Sequence, residues 1–90
     1  MGNLLGGFTS FREMTREEKD LFEKTMKDIV GVGRTPLAVA TQVVNGVNYA
    51  FLCDSKVIVP NAESYNELVI IHKSIDAKVS IMEIRKVSII

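Results

Sequence analysis

Hydrophobic and polar positions along the chain change period near Thr35. Before it, Leu21, Phe22, Met26, Ile29 and Val30 recur at helical spacing and form one apolar stripe. Thr15 followed by Glu18 fits a capping box, in which each side chain satisfies the other residue's free backbone N–H. Glu17 and Glu18 suit the positive N-terminal end of a helix, and Lys24 and Lys27 its negative C-terminal end. Asp20–Lys24 and Glu23–Lys27 are i,i+4 pairs with the acid first, the more favourable order. Gly31 and Gly33 supply stop signals. The spacing predicts one helix over Thr15–Val30.

After Thr35 the pattern reads as strand. Pro36–Val44 and Val47–Cys53 flank Asn45-Gly46, with Leu37, Val39, Thr41 and Val43 alternating on one side. Asn-Gly is the strongest short hairpin signal, because a type I′ turn needs φ > 0 at both central residues. Asp54-Ser55-Lys56 interrupts the second strand before Val57-Ile58-Val59 resumes it. With no Gly or Pro in the interruption, it reads as a bulge or kink. Pro60–Ser64 is a loop, Glu67–Lys73 a β-branched strand, Ser74–Lys78 a turn and Val79–Val87 a last strand. Gly2–Met14 has no long periodic pattern. Its beginning is expected to be mobile, and Phe8–Met14 is placed to pair as a short first strand. A four-stranded antiparallel meander must bury one face, and the helix stripe is the surface available to cover it. The expected fold class is α+β: one N-terminal α-helix wrapped by a four- to five-stranded antiparallel β-sheet, with Phe22, Met26 and Ile29 facing its concave side.

Composition narrows the functional classes. Ninety residues, 47% of them apolar and 24% charged, with a formal net charge of zero, suit one globular domain over 1–90. There is no basic surplus to engage nucleic acid. No apolar run approaches the ~20 residues of a membrane span. The N-terminus lacks the basic and long apolar regions of a signal peptide, and Gly6 stands where a myristoylation start wants Ser or Thr. Cys53 is the sole cysteine, which rules out an intrachain disulfide and suits a reducing compartment. The expectation is a cytoplasmic protein, with secretion as the alternative should an export signal have been removed.

Candidate chemistry is sparse. Cys53 and His72 both lie inside strand runs, where a lone Cys serves as a small buried apolar residue and nothing lowers its thiol pKa. His72 with Asp76 or Glu67 lacks the second His or Cys that a metal site requires. Gly31-Val32-Gly33 follows a helix, whereas a dinucleotide loop follows a strand. Tyr49, Phe51, Tyr65 and Phe22 read as core rather than as a base-stacking platform. No enzyme, cofactor or metal is expected.

Three segments carry a family resemblance. Gln42-Val43-Val44-Asn45-Gly46 fits the Q-x-V-x-G loop of the cystatin superfamily, and Asn48-Tyr49 resembles the N-Y pair that often follows it. Leu4-Leu5-Gly6-Gly7 resembles the apolar-then-Gly trunk that precedes the helix in cystatins. His72-Lys73-Ser74-Ile75 resembles the F-K-S-L that opens the second hairpin loop of stefins, with Asp76 where Pro is usual. The lack of cysteine pairs places the resemblance nearer the disulfide-free stefins than the secreted cystatins. Asn45 replaces the commoner Ala or Ser, no Trp marks the second loop, and the stretch from Tyr49 to Lys73 is longer than in typical stefins.

The resemblance implies a reversible, non-covalent competitive inhibitor of papain-like (C1-type) cysteine proteases. Its contact residues would be Leu4, Leu5, Gly6 and Gly7 of the trunk, Gln42, Val43, Val44, Asn45 and Gly46 of the first loop, and Ser74, Ile75 and Asp76 of the second. Val44 and Val47 would give dry contact, and Leu4 and Leu5 would fill substrate-side subsites before Gly6 bends the chain away. The partner would be the protease, with no nucleic acid or membrane, and the protein a monomer or a domain-swapped or edge-paired dimer. Read from their residues alone, Asn45-Gly46 is an ordinary turn, Gly6-Gly7 a flexible leader and Ile75-Asp76 a polar turn. The alternative function is thus a cystatin-fold binding or structural module without protease-inhibitory activity.

Overall fold

The computed structural model describes residues 6–88, as helix α1 (Arg16–Met26) followed by strands β1 (Val32–Val44), β2 (Gly46–Val57), β3 (Tyr65–Lys73) and β4 (Val79–Val87). The strands form one antiparallel sheet in the order β1-β2-β3-β4. This is the α+β meander expected from the pattern. Among the described residues no helix is long and apolar enough to cross a membrane.

The capping box forms as its spacing requires: the Glu18 N–H donates to Thr15 Oγ1 at 3.2 Å and the Thr15 N–H to Glu18 Oε1 at 2.8 Å. The helix is shorter than expected, ending at Met26 rather than Val30. There the Ile29 N–H closes a tight i,i+3 turn onto the Met26 carbonyl at 3.0 Å, and the chain leaves the helical path before Gly31. Phe22 and Met26 face the sheet as expected, but Ile29 is 41% exposed and Val30 85% exposed. The apolar stripe was continuous in sequence while the helix beneath it was not.

Glu18 also takes a second partner. Its carboxylate accepts a bidentate pair of bonds from the Arg12 guanidinium, at 2.9 and 2.8 Å. The backbone of Arg12 in turn exchanges two hydrogen bonds with Val39 of β1, each 2.9 Å. Further along, the Thr9 N–H donates to the Thr41 carbonyl, and the Thr41 N–H to Thr9 Oγ1. Residues 9–12 therefore run beside the outer edge of β1, as the expected short first strand, though as an isolated bridge rather than a full ladder.

On the helix side of the sheet, Phe22 and Met26 pack with Val39, Phe51, Cys53, Val69 and Ile71. The Phe22 and Phe51 rings meet edge to face, 5.0 Å between centroids. The opposite face is not left to solvent. Ala40, Ala50, Leu68 and Ile70 are buried there, with Phe8 and Phe11 of the N-terminal segment packed against them. Two small alanines at neighbouring register positions leave room for those rings.

Three strand expectations are corrected. First, β1 starts at Val32, four residues before Pro36. Among the described residues its outer side is paired at residues 9–12, away from Pro36, and so tolerates a Pro that cannot donate. Second, β2 continues to Val57 through Asp54-Ser55-Lys56 with unbroken register against β1, so no bulge lies there. The irregularities fall between Pro36 and Ala38 and between Ile70 and Ile71 instead. Third, the Pro36–Ala38 shift leaves Leu37 half exposed, and Val43 is 82% exposed, so the alternating set is buried at Val39 and only partly at Thr41.

At the end of the sheet where β2 finishes, Arg34 Nε bonds Glu67 Oε1 at 2.7 Å, with both side chains about nine-tenths buried. Removing either partner would strand the other charge, a loss of ~3–5 kcal/mol.

The Arg12 hydrogen bond is the main reason the Glu18 carboxyl is held down to about 2, with the Thr15 N–H adding to it against the effect of burial. A carboxylate depressed on folding adds stability above its unfolded pKa, near 4.5, and loses it as pH falls toward about 2. With Arg12 half exposed, the contribution is about 1–2 kcal/mol. Urea denaturation at pH 6 should show Glu18→Gln destabilised by that amount, and the gap to wild type should narrow toward pH 2.5. A gap independent of pH would separate the pair from the acid response.

Candidate binding edge

The first hairpin tip comes from the pairing of β1 and β2, in which Val43 faces Val47 and Val44 faces Gly46, with Asn45 between. Only Gly46 takes a positive φ, +107°, so the turn is not the type I′ expected from Asn-Gly. A type I′ turn would need Asn45 in the left-handed region too; here the tip is closed by one left-handed glycine. Gly46 is demanded twice. A Cβ there would stand 2.5 Å from the Lys73 carbonyl oxygen and 3.0 Å from Ser74 Cα. The first tip is thus seated directly on the backbone of the second.

The second tip is organised by Ser74. Its N–H donates to the Lys78 carbonyl at 2.8 Å, its Oγ donates to Asp76 Oδ1 at 2.5 Å, and the Lys78 N–H donates to the same Oγ at 3.0 Å. Ala77 closes the turn at φ +66°, a left-handed position that costs an L-residue ~1–2 kcal/mol. Ile75 projects from this loop, 79% exposed, and the Asp76 side chain is 67% exposed beside Lys78.

The N-terminal segment reaches the same end. Its bonds to Thr41 bring Gly7 against Gln42, so closely that a Cβ on Gly7 would lie 2.7 Å from Gln42 Nε2. Gly7, Gln42–Gly46 and Ser74–Asp76 therefore share one edge, with Gly6 next to Gly7 in the chain. Leu4 and Leu5 lie outside the described residues. Along the edge Val43, Val44 and Ile75 are exposed, forming an apolar crest with Asn45 beside it. Such a crest suits a cleft that accepts backbone and modest side chains.

Behind the tips lies a row of side chains of which only Gln42 was among the expected contact residues. Gln42, Asn48 and His72 stand side by side on β1, β2 and β3. Asn48 Nδ2 donates to Gln42 Oε1 at 3.0 Å, and His72 Nδ1 meets Asn48 Oδ1 at 2.7 Å. Counting outward from a two-residue Asn45-Gly46 turn would place Asn48 opposite Val43; the observed tip, with Asn45 alone between paired Val44 and Gly46, shifts the register by one and brings Asn48 opposite Gln42.

Cys53 sits in the helix-side core, fully buried, whereas His72 lies five register positions from its row and on the other face. The sheet separates them, so they form no thiol–imidazole pair. Burial, reinforced by the nearby Glu67 charge, pushes the Cys53 thiol up to about 12. Among the described residues no group of three or more His, Cys, Asp or Glu is arranged to hold a metal.

One helix packed on a four-stranded antiparallel meander, with two hairpin tips and an N-terminal segment at one end, defines the cystatin fold. No protein-family model matches the chain. No curated protein sequence matches it either. Among solved structures it is similar to a secreted type 1 cystatin from Fasciola hepatica, with a TM-score of 0.73 and 23% identity over 96% of this chain and 100% of that one. At that identity the likeness establishes the fold.

Two outcomes test this geometry. Ala77→Gly relieves the left-handed alanine, offset by a more flexible unfolded chain, and should raise stability by about 0.5–1 kcal/mol in urea. A loss would show the turn to be unstrained. Cys53 should react with a thiol reagent at neutral pH orders of magnitude more slowly in the native protein than in urea. Equal rates would overturn its burial.

Proposed function

We propose that this chain is a reversible, non-covalent competitive inhibitor of papain-like cysteine proteases of the C1 type. The N-terminal trunk and both hairpin tips would enter the active-site cleft together. The observation that carries the reading is the convergence of Gly6-Gly7, Gln42–Gly46 and Ser74–Asp76 on one edge bearing exposed Val43, Val44 and Ile75. Backbone at the tips offers the cleft hydrogen bonds, and the valines and Ile75 offer dry contact. No side chain on this edge has to do chemistry. Gly6 turns the chain away from the protease thiol before a scissile bond is presented.

One feature favours the alternative of a binding module without protease contact. Asp76 carries an exposed carboxylate into the second tip, and seating it in an apolar cleft would cost desolvation. Titration of active-site-calibrated papain separates the two readings. Stoichiometric, substrate-competitive loss of activity supports the inhibitor. Full activity at a large excess of protein sinks it and leaves the module.

Deleting Met1–Leu5 should weaken inhibition while leaving the fold intact, because those residues precede the helix and all four strands in the chain. Two leucines in apolar subsites contribute ~1.5–3 kcal/mol each when fully buried, less the cost of ordering a chain end. A rise in Ki of one to several decades is expected, since ~1.4 kcal/mol is tenfold. Gly46→Val should lower both stability and inhibition, because its side chain meets the Lys73 carbonyl and Ser74 Cα and pushes the tips apart. Unchanged Ki in both variants would remove this edge from the interface.

A further inference from the structure

We infer that His72 is a positioning residue of the binding edge, an inference that rests on the inhibitor reading. Acting through Asn48 and Gln42, it fixes the two hairpins and the N-terminal segment as one preorganised unit. His72 Nδ1 lies 2.7 Å from Asn48 Oδ1, and Asn48 Nδ2 lies 3.0 Å from Gln42 Oε1. Asn48 thus has its carbonyl turned to β3 and its amide to β1. An amide oxygen only accepts, so His72 must carry its proton on Nδ1. The ladder then continues by contact at both ends. Gln42 Nε2 abuts Gly7, and His72 Cε1 lies against Gly46, 3.1 Å from where its Cβ would be.

The ladder lies just behind the tips and is half buried, and it runs across β1, β2 and β3 at one register row. Helix and core are anchored by different residues on other parts of the sheet. Removing the Nδ1 donor frees the Asn48 amide to rotate, releasing Gln42 and with it the seat of Gly7. The tips then have to be ordered on binding, which raises the dissociation rate more than it lowers the association rate.

Two variants and the wild type test this. His72→Phe keeps the ring and removes the donor. His72→Asn puts an amide N–H where Nδ1 stood. Against papain, His72→Phe should raise koff and Ki at least tenfold, with Tm within about 3 °C of wild type, and His72→Asn should restore Ki to within threefold. In 15N-labelled wild type, His72 should show a proton on Nδ1 and a close Hε1–Gly46 Hα contact. Wild-type Ki in His72→Phe, failure of His72→Asn to restore it, or a tautomer protonated at Nε2 would each overturn the inference. If the wild type does not inhibit papain, the inhibitor reading falls on its own. The tautomer and faster backbone hydrogen exchange at residues 42–48 in His72→Phe then decide whether the ladder orders the edge.

Discussion

The Glu18 carboxylate is the junction on which this arrangement depends. It caps the helix that contains it by accepting the Thr15 N–H, and it accepts both arms of the Arg12 guanidinium. Arg12 is in turn bonded through its backbone to Val39, the β1 residue at the centre of the helix-side core. One acidic side chain thus links the helix start, the N-terminal segment and the first strand. Charge-assisted bidentate bonds are directional, so the link fixes orientation as well as contact. From Arg12 the segment can run only along β1, and the Thr9–Thr41 bonds carry it to Gly7 and the hairpin end.

At that end the usual relation of apolar side chains to solvent is reversed. The buried apolar strand residues, Val39 and Ala40, Ala50, Phe51 and Cys53, and Leu68 to Ile71, lie away from the tips, while Val43 and Ile75 at the tips are about four-fifths exposed. The backbones that carry them are held by contacts between and within the two turns. Gly46 sits on the Lys73 carbonyl, and Ser74 accepts and donates within its own turn. Ala77 held left-handed is the strained element that this organisation sustains.

Much of this was legible in the chain because local signals and tertiary structure agreed. Thr15 and Glu18 name a capping box, and the box forms. Asn45-Gly46 marks a reversal, and the reversal is there, although Gly46 alone supplies the positive φ. The failures share one cause: sequence patterns report side-chain polarity, not where the backbone stops following a regular path. Ile29 and Val30 continue the helical stripe after the helix has closed. Asp54-Ser55-Lys56 interrupts hydrophobicity without interrupting pairing, since Asp54 and Lys56 point outward while Ser55 is buried. The true irregularities at Pro36–Ala38 and Ile70–Ile71 lie inside apolar runs where no polarity change marks them. The Gln42–Asn48–His72 row was hidden differently, because it needs the register of three strands at once.

The parity of β2 bears on the proposed role in a way that composition alone does not. Asn48 and Cys53 are five residues apart on a strand whose pairing with β3 is unbroken, so one belongs to the outer polar row and the other to the helix-side core. An edge that lies against a reactive protease thiolate, as proposed, should carry no accessible thiol, because exchange chemistry requires a thiolate in contact with its partner. Cys53 is withdrawn on both counts: it is fully buried, and burial holds it protonated with its thiol pushed up to about 12. The polar row on the other face then supplies hydrogen-bonding order without supplying a nucleophile. Strand alternation, fixed once the Gly46 turn sets the register, separates the side chains that shape the edge from the one that could react there.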